Sequence, residues 1–371
     1  MTIAVQQADA RIGTSIQDLD TPTLVVDLDM MERNIAQISQ RCREGGVSWR
    51  PHSKGLKAIE VARRAINAGA IGITCAKVGD AEFFVNGGIE HILIANEVIG
   101  DAKLDRVAQL QSKTDVIIAI DSEYGLAAAS AAAVRAGTTI PVVIEVDSGM
   151  GRCGVAPGEP TLALARSIEN ADGIRLVGIM GWEGHTTAIT DICGRETEIR
   201  AAVGRLVAAA EELREFGHQI DIVSAGGTAT YMFSSQVTGV TEIQAGGGIY
   251  GDRTYVTRWD APVECSLVGL VTVISRPTST RIVTDAGRKA LNPDMAGPLP
   301  RNLPNVKSYS LHAEHGVIAL SEPADNPRVG DKIEIMVGYG DWTVFLHDEV
   351  FGHRNGRVEE VWTIAPRIAH R

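Results

Sequence analysis

From about residue 20 to residue 250, short β-branched runs alternate with helical patterns at spacings of about 20 to 45 residues, the pattern of consecutive βα units. The predicted strands fall at residues 24–27, 48–50, 71–75, 91–95, 116–121, 142–147, 176–180, 220–224 and 242–245. Between the first two, Asp29 stands at the N-cap position of a helix, and Met31, Ile35, Ile38 and Cys42 recur on one face of it. The Ala-rich stretch 122–136 predicts another covering helix. With the first strand set aside as an edge piece, eight βα units remain, enough to close a (β/α)8 barrel of the TIM type. An open doubly wound sheet is the alternative.

Beyond residue 258 the period changes. Strands at 263–275, 281–284, 307–312, 332–337, 342–346 and 357–364 follow one another without helices between them, which predicts a second, all-β domain. The expected organisation is therefore a barrel over 20–258 and a C-terminal β domain over 259–371, with 292–305 an ordered Pro/Asn-rich loop of the latter. No internal repeat of solenoid or propeller period is present in the sequence.

A chain of 371 residues with 44% apolar and 22% charged positions has room for a large core, which excludes a disulfide-stapled miniprotein and wholesale disorder. The net charge of −11, with no concentrated basic patch, speaks against a nucleic-acid partner. The longest apolar stretches, such as 267–274, fall short of the roughly 20 residues of a membrane span, and the N-terminus resembles no export signal, so cytoplasm is the expected compartment. Five cysteines, Cys42, Cys75, Cys153, Cys193 and Cys265, without any CxxC pair, fit reduced and mostly buried thiols.

In a parallel barrel the chemistry sits beyond the C-terminal ends of the strands. There the sequence places Pro51-His52-Ser53-Lys54, the loop 148–154 with Arg152, the loop 181–185 with Trp182 and His185, Ala225-Gly226-Gly227-Thr228, and Gly246-Gly247-Gly248-Ile249-Tyr250. Two glycine-rich turns on the last two strands suit a phosphate cradled by backbone N–H groups. The run 246–251 also matches GxGxxG, but it opens no βαβ unit and is a weak dinucleotide signal. Lys54 at the same mouth is a candidate for a Schiff base with an aldehyde. A lone lysine after a strand is ordinarily a solvated charge; beside a phosphate cradle it points to pyridoxal 5'-phosphate, with Arg152 on the phenolic or pyridine side of the ring.

These residues bring a family into view. Arg50-Pro51-His52-Ser53-Lys54, followed by Lys57, resembles the lysine motif of the D-threonine aldolase, 3-hydroxy-D-aspartate aldolase and D-serine dehydratase family, whose members are alanine racemase-like, fold type III pyridoxal phosphate enzymes. Thr21-Pro22, Asn34, the run 145–155, Ser224-Ala225-Gly226-Gly227-Thr228, Asp285-Ala286-Gly287, Glu314-His315-Gly316 and Asn355-Gly356-Arg357-Val358 continue the match, in order, along nearly the whole chain. The resemblance implies a head-to-tail homodimer, with the first strand packed on the β domain. It also implies that Lys54 carries the cofactor and that Arg152 approaches its phenolic oxygen. Ser224, Gly226, Gly227, Thr228, Gln244, Gly246 and Gly247 then surround the cofactor, and Trp182 takes the place of the family's tyrosine beside it. His52, in the lysine motif, joins Lys54 as a candidate catalytic residue.

One position departs from the family. Its members hold a divalent metal with a His-x-Cys or His-x-Asp pair late in the β domain; here Asp341 matches the acidic ligand, but Tyr339 replaces the histidine. A phenol with a pKa near 10 is a poorer ligand than imidazole, which leaves Asp341 and waters to hold Mg²⁺ or Mn²⁺ weakly. The run Gly338-Tyr339-Gly340-Asp341 also resembles the GYxDG segment in which alanine racemases carry a catalytic tyrosine, so Tyr339 is a candidate acid/base group. His185 and His315 are further site candidates. The expected activity is that of a lyase on a D-β-hydroxy-α-amino acid, retro-aldol cleavage narrowly ahead of dehydration. A racemase, epimerase or transaminase using Lys54 and Tyr339 comes second, a non-catalytic pyridoxal phosphate carrier third, and a barrel without this cofactor last.

Overall fold

The computed structural model describes residues 9–366, which divide into two units. The first strand, β1 (Thr23–Asp27), belongs to the β unit and is taken up with it below. Eight parallel strands build the other unit, Ile35–Gly248 with Trp259–Ala261. They are β2 (Ser48–Trp49), β3 (Ile73–Cys75), β4 (Ile92–Glu97), β5 (Val116–Ile120), β6 (Ile140–Glu145), β7 (Ile174–Met180), β8 (Ile222–Ala225) and β9 (Glu242–Ile243). Their order is β2-β9-β8-β7-β6-β5-β4-β3, and the two ends of that series meet. The Ile71 and Thr74 N–H groups donate to the Trp49 and Pro51 carbonyls at 2.8 and 3.0 Å, and an isolated parallel bridge joins His52 to Thr74. The sheet is thus a closed (β/α)8 barrel, and the doubly wound alternative falls away. Beside the closure, Arg50 pairs with Glu242 of β9 at 3.1 Å, both side chains almost fully buried, and donates on its other side to the His91 carbonyl at 2.7 Å.

The covering helices follow the sequence logic closely. Glu123–Ala136 starts at Ser122, whose hydroxyl accepts the Gly125 N–H, and stops at Gly137 in the left-handed conformation. Leu28–Glu44 buries Met31, Ile35, Ile38 and Cys42, as their spacing predicts. Its cap is Asp27 rather than Asp29: Asp27 accepts the Met30 N–H at 2.9 Å, while Asp29 in the first turn pairs with Arg354.

The second unit comprises the chain up to Asn34, Ile249–Arg258 and Pro262–Ile364. Its strands besides β1 are β10 (Leu267–Thr278), β11 (Arg281–Thr284), β12 (Leu299–Pro300), β13 (Val306–Leu311), β14 (Gly316–Leu320), β15 (Lys332–Met336), β16 (Glu349–Arg354) and β17 (Arg357–Thr363). The sheet runs β13-β14-β11-β10-β1-β16-β17, with β15 bonded to β10 and to β12. Strand β1 lies antiparallel to β10 and parallel to β16, so the first strand of the chain completes the sheet of the last domain. Val25, Val268, Leu270, Phe351 and Val358 form one core of this unit; Val273, Ile282, Ile318 and Leu320 form another.

Here the sequence pattern missed β12, β14 and β16 and misplaced one element. The expected strand at 342–346 is a helical turn, Gly340–Thr343, running into Val344–Leu346. The Gly340 N–H donates to Asp252 at 2.7 Å and the Thr343 hydroxyl returns to the Tyr339 carbonyl at 3.0 Å, bonds that draw an apolar, β-prone run into a turn. All five cysteines are free thiols; Cys42 and Cys75 are buried, Cys193 is exposed, and the other two lie between. Among the described residues no helix is long and apolar enough to cross a membrane.

Candidate active site

Strand β2 ends where the barrel closes, and the chain turns at once into a 3-10 turn, Ser53–Gly55, that carries Lys54 on its outer, exposed side. The turn is held from three directions. His52 Nδ1 accepts the Lys54 N–H at 3.3 Å. Ser53 Oγ reaches the buried Cys75 sulfur at 3.6 Å. Lys57, at φ +54°, sends its side chain inward to Asp80 at 2.7 Å. Burial and the nearby cations Lys54, Lys57 and Arg152 push the His52 imidazole well below its ordinary pKa, so the ring is neutral. With Nδ1 accepting, its proton resides on Nε2.

The two glycine-rich turns form one structure. Gly248 N–H donates to Thr228 Oγ1 at 2.8 Å, tying the turn after β9 to the turn after β8, and Gln244 Nε2 donates to Ser224 Oγ at 2.9 Å. Under the first turn lies Glu183, fully buried, which accepts the Gly226 N–H at 3.3 Å and the Ser234 hydroxyl at 2.5 Å. Two of these glycines are forced by close approach. A Cβ on Gly246 would stand 2.1 Å from the His52 carbonyl oxygen, and one on Gly227 would stand 2.7 Å from the Trp182 ring. Glycine at 246 therefore lets the turn after β9 pack on the turn that carries Lys54, and glycine at 227 lets the indole lie on bare backbone.

Among the described residues the N–H groups of Thr228 and Gly247 meet no acceptor, although Thr228 is only 5% exposed. Backbone donors left in this state at the C-terminal mouth of a barrel suit an oxyanion such as a phosphate.

Across the mouth, Asp147 Oδ1 folds the loop 148–154 by accepting the Gly149 and Gly151 N–H groups at 2.9 and 3.0 Å. Arg205 fastens it from the neighbouring helix through the Ser148 carbonyl at 2.9 Å. Arg152 is exposed and keeps one contact inward, to Glu145 at 3.5 Å. The sequence candidates Lys54, His52, Arg152, Trp182, Ser224, Gly226, Gly227, Thr228, Gln244, Gly246 and Gly247 all belong to this one unit, and all but Ser224, which lies inside β8, follow the C-terminal ends of its strands. His185 also lies here, its ring against Gly149 and its Nε2 3.4 Å from Glu198, so it braces the Arg152 loop.

The remaining candidates lie in the β unit. Tyr339 is buried, donates its hydroxyl to Asp341 at 3.0 Å and packs its ring against Tyr255 and Trp342. Burial first, and the Asp341 carboxylate second, raise the Tyr339 phenol far above its ordinary pKa and keep it neutral. His315 stands exposed in the hairpin turn between β13 and β14. Asn34 serves structure: its side chain brackets Glu264 by accepting the N–H at 2.7 Å and donating to the carbonyl at 2.8 Å.

Sequence reasoning passed over the acids of the barrel mouth. Glu97 ends β4, Asp121 follows β5 and Glu145 ends β6; the strand-end rule that selected the other loops applied equally to these. Burial, and then Glu97 beside it, push the Glu145 carboxyl up to about 8. A carboxyl whose folded pKa lies above its unfolded value binds more protons folded than unfolded between the two, so stability falls as pH rises through that window. Thermal unfolding midpoints are accordingly expected to fall from pH about 5 to about 8, and Glu145→Gln to lessen that slope. Equal slopes would place the proton elsewhere.

The comparisons with known proteins agree with this geometry. Residues 26–254 match the alanine racemase N-terminal domain, and residues 266–353 match a serine dehydratase domain. The chain is 35% identical to a D-threonine aldolase of an Arthrobacter species, covering 96% of this chain and 95% of that one. It is 33% identical to a 3-hydroxy-D-aspartate aldolase of Paracoccus denitrificans, covering 96% and 94%. The crystal structure of D-threonine aldolase from Filomicrobium marinum superposes with a TM-score of 0.92 at 33% identity, covering 96% of this chain and 98% of that one. The chain therefore belongs to the alanine racemase-like family of D-threonine aldolases, 3-hydroxy-D-aspartate aldolases and D-serine dehydratases.

Proposed function

We propose that this protein is a pyridoxal phosphate-dependent lyase that cleaves a D-configured β-hydroxy-α-amino acid to glycine and an aldehyde. The observation that carries this is the barrel mouth itself. An exposed lysine on a rigid turn packs directly against a double glycine turn that leaves the Thr228 and Gly247 N–H groups for a phosphate. When bound there, the cofactor supplies an electron sink for the pair left on the amino-acid α-carbon. Lys54 Nζ is its attachment point. Thr228 and Gly247 donate to its phosphate, the Gly246 approach sets the distance between phosphate turn and lysine turn, and Arg152 is the donor for its phenolic oxygen. Trp182, laid on Gly227, walls one side of the site. His52 holds a proton on Nε2 and so acts as a donor rather than a base.

In the β unit, Asp341 is the proposed ligand for Mg²⁺ or Mn²⁺, completed by waters, with Tyr339 as a neutral donor to the same carboxylate. One carboxylate beside a neutral phenol is a sparse donor set, so binding is expected to be weak. Tyr339→His is expected to tighten Mn²⁺ binding by about tenfold or more, read by equilibrium dialysis; unchanged affinity would place the ligands elsewhere. We further propose a cytoplasmic, head-to-tail homodimer acting on a small amino-acid substrate, with neither nucleic acid nor membrane as partner.

The match of residues 266–353 to a serine dehydratase domain favours dehydration as the second reading. A panel of D-β-hydroxy amino acids, assayed separately for glycine, ammonia and inverted amino acid with Mn²⁺ and then with chelator, decides. Glycine with equimolar aldehyde, lost on chelation, is the expected result. Ammonia would establish the dehydratase, and chelator-resistant inversion at the α-carbon would establish a racemase.

A further inference from the structure

Three neighbouring strand ends at the barrel mouth carry a set of donors to which the proposed cofactor site gives no role. Glu97 ends β4, Asp121 follows β5 and Cys153 lies in the loop after β6, and their ligand atoms all lie within 4.8 Å of one another. All three side chains are half-buried. Glu97 Oε1 is closed to solvent and has no hydrogen-bond partner, while Asp121 Oδ2 accepts the Gly154 N–H at 3.1 Å and so draws the loop 148–154 toward β5. Behind them stands Glu145, 3% exposed, in contact with Arg152. Three carboxyl groups and a thiol thus converge beside one guanidinium, an excess of acid that needs protons or a cation.

We propose that Glu97, Asp121 and Cys153 form a zinc-type metal site, two carboxylates and one thiolate with the fourth position open to water. The donor chemistry selects the ion: a thiolate ligand disfavours Mg²⁺ and Ca²⁺, and three protein ligands with one open position is the usual composition of a reactive zinc centre. A tetrahedral ion with oxygen ligands at about 2.0–2.2 Å and sulfur at about 2.3 Å needs donors roughly 3.3–3.6 Å apart, so binding would draw together ligand atoms that now lie within 4.8 Å of one another. Binding requires the thiolate and so releases the Cys153 proton. The ion would clamp the loop that presents Arg152 to the ends of β4 and β5. Asp341 belongs to the other unit and offers oxygen alone.

The test uses holoenzyme loaded with Zn²⁺ and examined by zinc-edge X-ray absorption together with metal analysis. One zinc per chain with a sulfur scatterer at about 2.3 Å is expected. Cys153→Ser is expected to lose the sulfur shell, and both Cys153→Ser and Glu97→Gln to weaken zinc binding about tenfold or more, while Asp341→Asn keeps shell and affinity. Circular dichroism confirms that each variant is folded. A wild-type spectrum with only oxygen or nitrogen scatterers, or a sulfur shell that survives Cys153→Ser, overturns the proposal. Neither outcome depends on which reaction the enzyme catalyses.

Discussion

Lys54→Ala is expected to reduce turnover of every D-β-hydroxy amino acid by on the order of 10⁴-fold or more, and to remove the yellow chromophore of a lysine-bound vitamin B6 aldehyde from the purified protein. Both readouts matter, because the variant separates attachment from the rest of the site. The double glycine turn is held by Thr228, Gly248 and Glu183 and touches the lysine turn through backbone, at the Gly246 approach to the His52 carbonyl. Deleting the Lys54 side chain leaves these contacts in place, so the fold should persist while the covalent anchor is lost. Lys57, the nearest lysine in sequence, does not substitute: it is buried and its Nζ is held 2.7 Å from Asp80. A variant that stays yellow and active would show that another lysine holds the cofactor.

The second large effect concerns that ion pair. Lys57 and Asp80 have side chains only 4% and 1% exposed, so each charge depends on the other for compensation. Asp80→Ala is expected to destabilise the barrel by about 3–5 kcal/mol, because it strands an ammonium group in the interior. The double variant Lys57→Met, Asp80→Ala is expected to recover much of that loss, since no buried charge is left over. Urea unfolding followed by circular dichroism and by the summed tryptophan fluorescence, to which the buried Trp49 of the same unit contributes, measures both. A cost below about 1 kcal/mol in the single variant would mean that water reaches Lys57 after all. The same substitution is expected to disturb Lys54, because the Lys57 N–H donates to the Ser53 carbonyl at 3.0 Å and so ties Lys57 to the turn that carries it.

The barrel was largely legible because its strands are buried on both faces and read as apolar runs, and because helix starts and stops such as Ser122 and Gly137 act locally. The β unit was less so. Strand β14, Gly316–Leu320, alternates buried and half-buried residues over five positions, too short a signal beside its neighbours. Residues 342–346 have strand-forming side chains, yet Asp252, almost 90 positions earlier, holds Gly340 and turns the chain. The site divides the same way. Lys54, Arg152 and the glycine turns announce themselves by position after strands, whereas the buried partner Asp80, inside the helix Val78–Asn86, carries no such mark.

What the amino-acid order determined by itself was the succession of βα units, the change of period near residue 258 and the placing of chemistry at strand ends, since each follows from side-chain periodicity and turn residues within a few positions. Only the tertiary structure decided that the barrel closes at His52 and Thr74 and that β1 joins the distant strands β10 and β16. It alone gathered Glu97, Asp121, Glu145 and Cys153 into one cluster of acids. Those outcomes depend on burial and on charges meeting across long stretches of chain, where the energy of a pair is set by distance and dielectric rather than by spacing along the sequence.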